Sequence, residues 1–344
     1  MKHIFLGAAF TLASALVYGQ ENSANFKIEQ MQKLPNELYQ LVYNPTNNLV
    51  YVAGPKKGFD KNAENFVYVL DGKSLAVKDS IALGKYLPFG IALNNKTQTL
   101  YVGHSLQDAV SAIDLKSKKQ QVISSGNKKS KIRELAVDEI RNKVYVSDHG
   151  NPSIWEIDGN SNTYVGAFEK EGAYLLGVNV DAQRGKVYGT DANTMEGNIL
   201  VYNSESGNLE GQFKTWSYCP LNIALDKAGN RLFVSQSNDN NVTIVDGNTG
   251  DILQKVYLGY DSSPIGLVYD EKSKLLYTAN RNKQEVAVIN TDSYQVVERI
   301  ATQGLPNTIT LDPASGAIYV TNKQAGKKGE PVENANTVLK INKI

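Results

Sequence analysis

Residues 318–322 read Ile-Tyr-Val-Thr-Asn, an aromatic residue inside a short β-branched run. Similar runs recur at intervals of 42 to 50 residues, and their aromatic residues are Tyr51, Tyr101, Tyr145, Tyr188, Phe233, Tyr277 and Tyr319. A second phrase, an apolar residue followed by Asp or Asn, keeps the same spacing at Leu70-Asp71, Ile113-Asp114, Ile157-Asp158, Tyr202-Asn203, Val245-Asp246, Ile289-Asn290 and Ile341-Asn342. Two phrases with one period indicate seven copies of one module.

The period and composition of this module predict an all-β, seven-bladed β-propeller of four-stranded blades. Segments such as Leu100 to Val102 and Ala109 to Leu115 have strand length and end at turn residues, and no stretch keeps a 3.6-residue apolar period for three turns. Helical repeats of similar length are therefore excluded. Because seven units nearly fill the 344 residues, we expect one propeller domain over residues 20–344.

The two ends of the repeated region predict how the ring closes. The last copy stops after its third strand, Thr337 to Ile341, and no sequence remains for a fourth. The extended stretch Phe26 to Met31, upstream of the first blade, is expected to supply the missing outer strand. This pairing removes a sheet edge that would otherwise be exposed.

Residues 1–19 have the pattern of a secretory signal peptide, with Lys2 ahead of an apolar run from Ile4 to Leu16 and cleavage expected near Gly19. We therefore expect a periplasmic or secreted protein that is not inserted in a membrane and that is monomeric. Cys219 is the only cysteine, so an internal disulfide is excluded. The chain contains 36 basic and 35 acidic residues, and this balance argues against broad, non-specific binding of polyanions.

The mouth of the central channel is predicted by aligning the copies on the Asn or Asp that ends each inner strand. Five residues earlier, the seven copies carry Tyr39, Phe89, Arg133, Leu176, Leu221, Ile265 and Asn307. One cation thus lies in a mostly apolar and aromatic rim. Such a rim suits a flat or partly charged ligand.

Loops on the same face add further aromatic and basic candidates. Trp216 and Tyr218 precede the fifth inner strand, Lys128, Lys129 and Lys131 precede Arg133, and the long loops of the first and seventh blades carry Lys56, Lys57, Lys61, Lys323, Lys327 and Lys328. Aromatic rings interleaved with cations suit single-stranded nucleic acid, whose bases stack while its phosphates pair. The alternative is that the lysines are solvated loop charges and the tyrosines brace neighbouring blades.

A metal site is a further hypothesis, because His104 and His149 both follow second strands of adjacent blades and Asp148 lies beside His149. Two imidazoles and a carboxylate are ligands that zinc accepts, and they would suit a hydrolase, lyase or lactonase-like enzyme. Two exposed loop histidines are the favoured alternative. The chain has no nucleophile elbow, no HExxH and no GxxxxGK[ST] sequence, so a binding protein without a cofactor is favoured over an enzyme.

The blade phrase resembles that of the YVTN-type β-propellers, as Ile318-Tyr319-Val320-Thr321-Asn322 and, more loosely, as Leu276-Tyr277-Thr278-Ala279-Asn280. The stretches Pro88-Phe89-Gly90 to Leu100 and Arg133-Glu134-Leu135 are similar to a bacterial periplasmic member of that family. The resemblance covers essentially the whole mature chain and implies a seven-bladed fold, an exported location and binding of single-stranded DNA. A protein-interaction scaffold of the cell envelope, with a protein partner, remains the alternative function.

Overall fold

The computed structural model describes residues 25–56, 62–323 and 332–344, and these residues form 28 strands numbered β1 to β28 in chain order. Within these ranges there is no helix, so none that is long and apolar enough to cross a membrane. The strands form seven four-stranded antiparallel sheets. The predicted signal peptide and its cleavage site near Gly19 lie outside the described residues.

Six blades are formed by consecutive strands. Blade 1 contains β2 (Leu41–Asn44), β3 (Leu49–Gly54), β4 (Asn65–Asp71) and β5 (Val77–Gly84). Blade 2 contains β6 (Ile91–Asn94), β7 (Thr99–His104), β8 (Ala109–Asp114) and β9 (Gln120–Ile123). Blade 3 contains β10 (Ile132–Asp138), β11 (Lys143–Asp148), β12 (Ser153–Asp158) and β13 (Thr163–Glu169).

The next three blades repeat this order. Blade 4 contains β14 (Leu175–Asp181), β15 (Lys186–Asp191), β16 (Asn198–Asn203) and β17 (Leu209–Lys214). Blade 5 contains β18 (Pro220–Asp226), β19 (Arg231–Gln236), β20 (Asn241–Asp246) and β21 (Ile252–Tyr257). Blade 6 contains β22 (Pro264–Asp270), β23 (Leu275–Asn280), β24 (Glu285–Asn290) and β25 (Gln295–Ala301).

Blade 7 joins the two ends of the chain. It contains β26 (Leu305–Leu311), β27 (Ile318–Lys323), β28 (Thr337–Lys343) and, as its outer strand, β1 (Phe26–Lys33). The register of β1 against β28 runs from Phe26 opposite Lys343 to Lys33 opposite Thr337. The predicted closure and the seven-bladed, all-β fold are confirmed.

The repeated aromatic residues pack between neighbouring blades, where all seven are buried. Some of the tyrosine hydroxyls reach the next blade. Tyr319 donates to the carbonyl of Gly72 at 2.7 Å, and Tyr145 donates to the carbonyl of Ser204 at 3.1 Å. Burying a large ring while its polar end is hydrogen-bonded stabilises each interface between blades. This is the physical reason for the first repeated phrase.

The repeated Asp and Asn residues close the turns between strands. In blade 5, for example, Asp246 Oδ1 accepts hydrogen bonds from the backbone amides of Asn248 and Thr249, at 2.8 and 3.0 Å. Asp114 Oδ1 does the same for Lys116 and Ser117 after β8. A short carboxylate or amide that accepts from the two following amides is an Asx turn. The second repeated phrase is thus the sequence pattern of hairpin turns.

Candidate ligand-binding site at the channel mouth

An irregularity near the start of each inner strand positions the mouth side chains. In blades 3 to 7 the pairing of the first two strands shifts register there, for example between Ile132 and Leu135 in blade 3. In blade 2 the backbone of Phe89 and Gly90 pairs with Gly103 just ahead of β6, and Tyr39 and Gln40 pair with Ala53 in the same way in blade 1. Such bulges re-aim side chains at the rims of sheets.

Two adjoining cavities occupy the mouth, and between them they contact all seven predicted positions. The larger, which we call the ring pocket, has a volume of about 420 Å³ and is lined by Tyr39, Phe89, Ser105, Leu106, Ile132, Arg133, His149, Tyr174, Leu176 and Lys323. Tyr39 and Phe89 meet edge to face, with ring centroids 5.0 Å apart. This pocket is therefore mainly apolar and aromatic, with cations in its wall.

The smaller cavity, which we call the polar pocket, has a volume of about 250 Å³. Its wall includes Asn222, Ser237, Ser263, Arg281 and Asn307, while Tyr39 and Arg133 line both cavities. Arg281 donates from Nη2 to Asn307 Oδ1, and Asn307 Nδ2 donates to the carbonyl of Tyr39 at 3.0 Å. The amide of Asn307 thereby holds the guanidinium of Arg281 at the mouth.

Three cations converge on these cavities: Arg133, Arg281 and Lys323. None of them takes part in the ion pairs formed among the described residues. Burial, together with repulsion from Arg281 and Arg133, lowers the pKa of Lys323 to about 8, and Glu37 opposes this shift. Burial and the charge of Arg133 also lower the pKa of Arg281. The mouth is therefore an electropositive site whose charges repel one another.

Side chains cross the channel beneath the mouth. Gln40 of blade 1 donates from Nε2 to both carboxylate oxygens of Glu134 of blade 3, at 3.0 and 2.8 Å. Arg133 Nη1 approaches the carbonyl of Leu221 and the Oδ1 of Asn222 in blade 5, at 3.4 and 3.5 Å. Burial raises the pKa of Glu134, while Arg133 and the bond from Gln40 oppose the rise. A cavity of about 240 Å³ lies deeper in the channel, and Gln40, Asn222 and Thr308 line both it and the polar pocket.

The remaining aromatic and basic candidates lie outside both cavities. Trp216 and Tyr218 are exposed, and the ammonium of Lys214 lies 4.7 Å from the centroid of one Trp216 ring. The exposed residues Lys128, Lys129 and Lys131 form a loop held by backbone contacts, such as the amide of Lys131 to Asp148 Oδ1 at 2.8 Å. Lys57, Lys61, Lys327 and Lys328 lie outside the described residues. The exposed candidates can meet only a ligand that extends beyond the mouth.

The structure does not assemble His104, His149 and Asp148 into a metal centre. His104 is buried, and its two ring nitrogens bond to the carbonyl of Leu87 and the hydroxyl of Ser111, at 3.1 and 2.7 Å. Asp148 is also buried and accepts from the amides of its own turn and from Trp155 Nε1. No group of three or more His, Cys, Asp or Glu residues in the described ranges could hold a metal ion. The metal hypothesis is corrected accordingly.

His149 instead forms part of the ring pocket, beside Tyr174 at a centroid distance of 5.2 Å. Burial and the charges of Arg133 and Lys131 lower its pKa to about 4, so the imidazole is neutral at pH 7. Arg281 is not among the site residues predicted from the sequence, although His104 and His149 were considered near equivalent positions at the ends of second strands. Its signal is a cation directly after β23, on the loops that share the face of the mouth.

No protein-family model matches the chain. Proteins named YncE are similar along almost all of it: that of Salmonella typhi is 26% identical and that of Escherichia coli (strain K12) is 27% identical, each over 99% of both chains. The solved structure of hydrazine synthase from Kuenenia stuttgartiensis superimposes with a TM-score of 0.72 at 17% identity, covering 85% of this chain and 94% of the other, which is a likeness of fold. The resemblance to YVTN-type propellers is confirmed.

Proposed function

We propose that this chain, a seven-bladed propeller of the YVTN-repeat type, binds an anionic ligand that carries a flat ring, and that single-stranded DNA is such a ligand. The observation that carries the proposal is the meeting of three cations, Arg133, Arg281 and Lys323, beside the aromatic ring pocket. Because these cations form no ion pair among the described residues, a bound anion would relieve their mutual repulsion.

The two cavities divide the ligand into two parts. A base or other ring fits the apolar ring pocket, against Tyr39, Phe89 and Tyr174. Stacking of one base on an aromatic side chain contributes about 1 to 3 kcal/mol. The anionic group then lies toward the polar pocket, near Arg133 and Arg281. Since Tyr39 and Arg133 line both cavities, one ligand can contact both.

An envelope interaction scaffold is the second candidate, because large apolar side chains are exposed on loops of the same face. Met195 is 76% exposed, Trp216 60% and Tyr260 84%. Large apolar side chains exposed on one face of a protein can take part in a protein interface. In either case we propose that the protein works in the periplasm or outside the cell, in keeping with the predicted signal peptide of residues 1–19.

The proposal is tested by fluorescence polarisation with labelled single-stranded oligonucleotides at several salt concentrations. We expect saturable binding that weakens with salt, because each phosphate contact releases about one counterion. Arg133→Ala should lower the affinity and reduce the salt slope by about one. Lys116→Ala is the matched control, since Lys116 is exposed in the turn after β8, on the face opposite the mouth. Absence of binding would favour the scaffold and make capture of a protein partner the next step.

A further inference from the structure

Side chains of blades 1, 3 and 5 form a floor beneath the mouth of the channel. The Gln40 to Glu134 hydrogen bonds link blades 1 and 3, and the approach of Arg133 to Asn222 links blades 3 and 5, so both contacts cross the channel. A nucleic acid strand that entered the mouth would meet these side chains at its floor.

The three cations of the mouth favour a ligand group with more than one negative charge, although Glu37 offsets part of the charge of Lys323. Arg133, Arg281 and Lys323 surround the entrance, whereas an internal phosphodiester carries one negative charge. A terminal phosphate monoester carries about 1.5 to 2 negative charges at pH 7 and has three acceptor oxygens. It therefore complements three cations better than a phosphodiester does.

The polar pocket supplies neutral donors as well. The hydroxyls of Ser237 and Ser263 lie 3.2 Å apart in its wall, on the side of blades 5 and 6. Arg281 has a buried Nε without a hydrogen-bond partner among the described atoms. A phosphate with three free oxygens can accept from a guanidinium and from hydroxyls at the same time.

We propose that this site recognises the phosphorylated end of a single-stranded nucleic acid, with the terminal phosphate in the polar pocket and the terminal base in the ring pocket. This inference rests on the function proposed above and narrows its ligand class. The site accordingly captures strand ends and has less affinity for an internal segment, whose chain would have to turn back at the side chains beneath the mouth.

The test compares four oligonucleotides of one sequence in the same polarisation assay: 5′-phosphorylated, 3′-phosphorylated, unphosphorylated and circular. We expect at least one phosphorylated end to bind about tenfold or more tightly than the unphosphorylated and circular forms, because charge-assisted hydrogen bonds are lost without the phosphate. Arg281→Gln should remove that preference while retaining the fold, and Arg133→Gln is a second variant should Arg281→Gln fail to fold, because Arg133 also lines the polar pocket.

Equal affinity for all four oligonucleotides would overturn the recognition of ends and leave the proposed binding function intact. A preference for phosphorylated ends that persists in both folded variants would also overturn it, since the phosphate would then lie elsewhere. If none of the oligonucleotides binds, the proposed function itself fails. The three results are distinguishable in one experiment, with Lys116→Ala as the control variant.

Discussion

Lys323 lies over the ring of Tyr39, with its Nζ 4.6 Å from the ring centroid. The contact joins the end of β27 in the last blade to the residue that opens the first blade, at the entrance of the ring pocket. An ammonium over a tyrosine ring is attracted to it by about 0.5 to 2 kcal/mol. The low pKa of Lys323 indicates that burial and the neighbouring arginines outweigh this attraction. The charge of Lys323 therefore lowers the stability of the free protein.

Lys323→Met should therefore stabilise the free protein and weaken binding of an anionic ligand. Because the pKa of Lys323 is about 8 when folded, below its ordinary value, the unfavourable charge is fully present below pH 8 and disappears as the pH rises toward 10.5. We expect a gain of about 1 to 3 kcal/mol in the free energy of unfolding at pH 7, measured in urea. Lys116→Met is the control, and a loss of stability in Lys323→Met would contradict this account.

Ligand affinity should fall as the pH rises from 7 to 9, because Lys323 loses its proton around pH 8. Glu37 favours the charged lysine, and a terminal phosphate, whose second pKa is about 6, gains little further charge above pH 7. Titrations of the wild type at four pH values measure the effect. In Lys323→Met the same series should be flat, and an equal fall in that variant would assign the pH dependence to another group.

Trp216→Ala should affect long ligands and spare short ones. Trp216 is 60% exposed and lies outside both cavities, so only an oligonucleotide that extends beyond the mouth can stack on it. We expect a loss of about 1 to 3 kcal/mol for such an oligonucleotide and no change for thymidine monophosphate, by calorimetry. Equal losses for both ligands would place Trp216 in the primary site.

Protein stability should decline between pH 6.5 and about 4, as the histidines of the unfolded chain become protonated. Burial lowers the pKa of His104 to about 4 in the folded state, so the stability it contributes is present above pH 6.5 and is lost as the pH falls through this window. The expected loss from this residue is about 1 to 3 kcal/mol, and His104→Gln should show a shallower decline. An NMR titration that gave His104 an ordinary pKa near 6.5 would refute this prediction.

Ring closure can be tested within β1. Phe26 is buried and packs edge to face on Tyr277, with ring centroids 5.9 Å apart. Phe26→Ala should cost about 3 to 5 kcal/mol of unfolding free energy. Met31→Ala on the same strand is the control, because Met31 is 53% exposed and should change stability by less than about 0.5 kcal/mol. Similar small effects of both substitutions would mean that β1 contributes little to the ring.

The seven-bladed fold could be predicted because the residues that determine it act locally and recur in every blade. Each aromatic residue of the Tyr51 to Tyr319 series marks a second strand, and each Asx residue closes a turn, so seven weak signals support one another. The mouth residues Tyr39, Phe89, Arg133 and Asn307 could be placed from the same register. Closure by Phe26 to Met31 followed from counting strands in the last copy.

The chemistry of the site was less predictable, because it depends on distances across the ring. No window of sequence indicates that Arg281 and Lys323 meet Arg133, since they come from blades 6, 7 and 3. The histidines show the same limit. Its place at the end of a second strand suggested that His104 is exposed. In the structure its side chain is buried and bonds to Ser111 and to the carbonyl of Leu87.

The pairing of β1 with β28 also sets an order of events during synthesis. The strand β1 (Phe26–Lys33) precedes the other described strands and its partner β28 (Thr337–Lys343) follows them, so the ring can close only after every blade has been made. Contacts between such distant residues form slowly, because a long loop must close first. Until then the last blade lacks its outer strand and the mouth lacks the fixed spacing of its cations. Under the proposed function, binding competence is therefore acquired late, in the step that completes the circle.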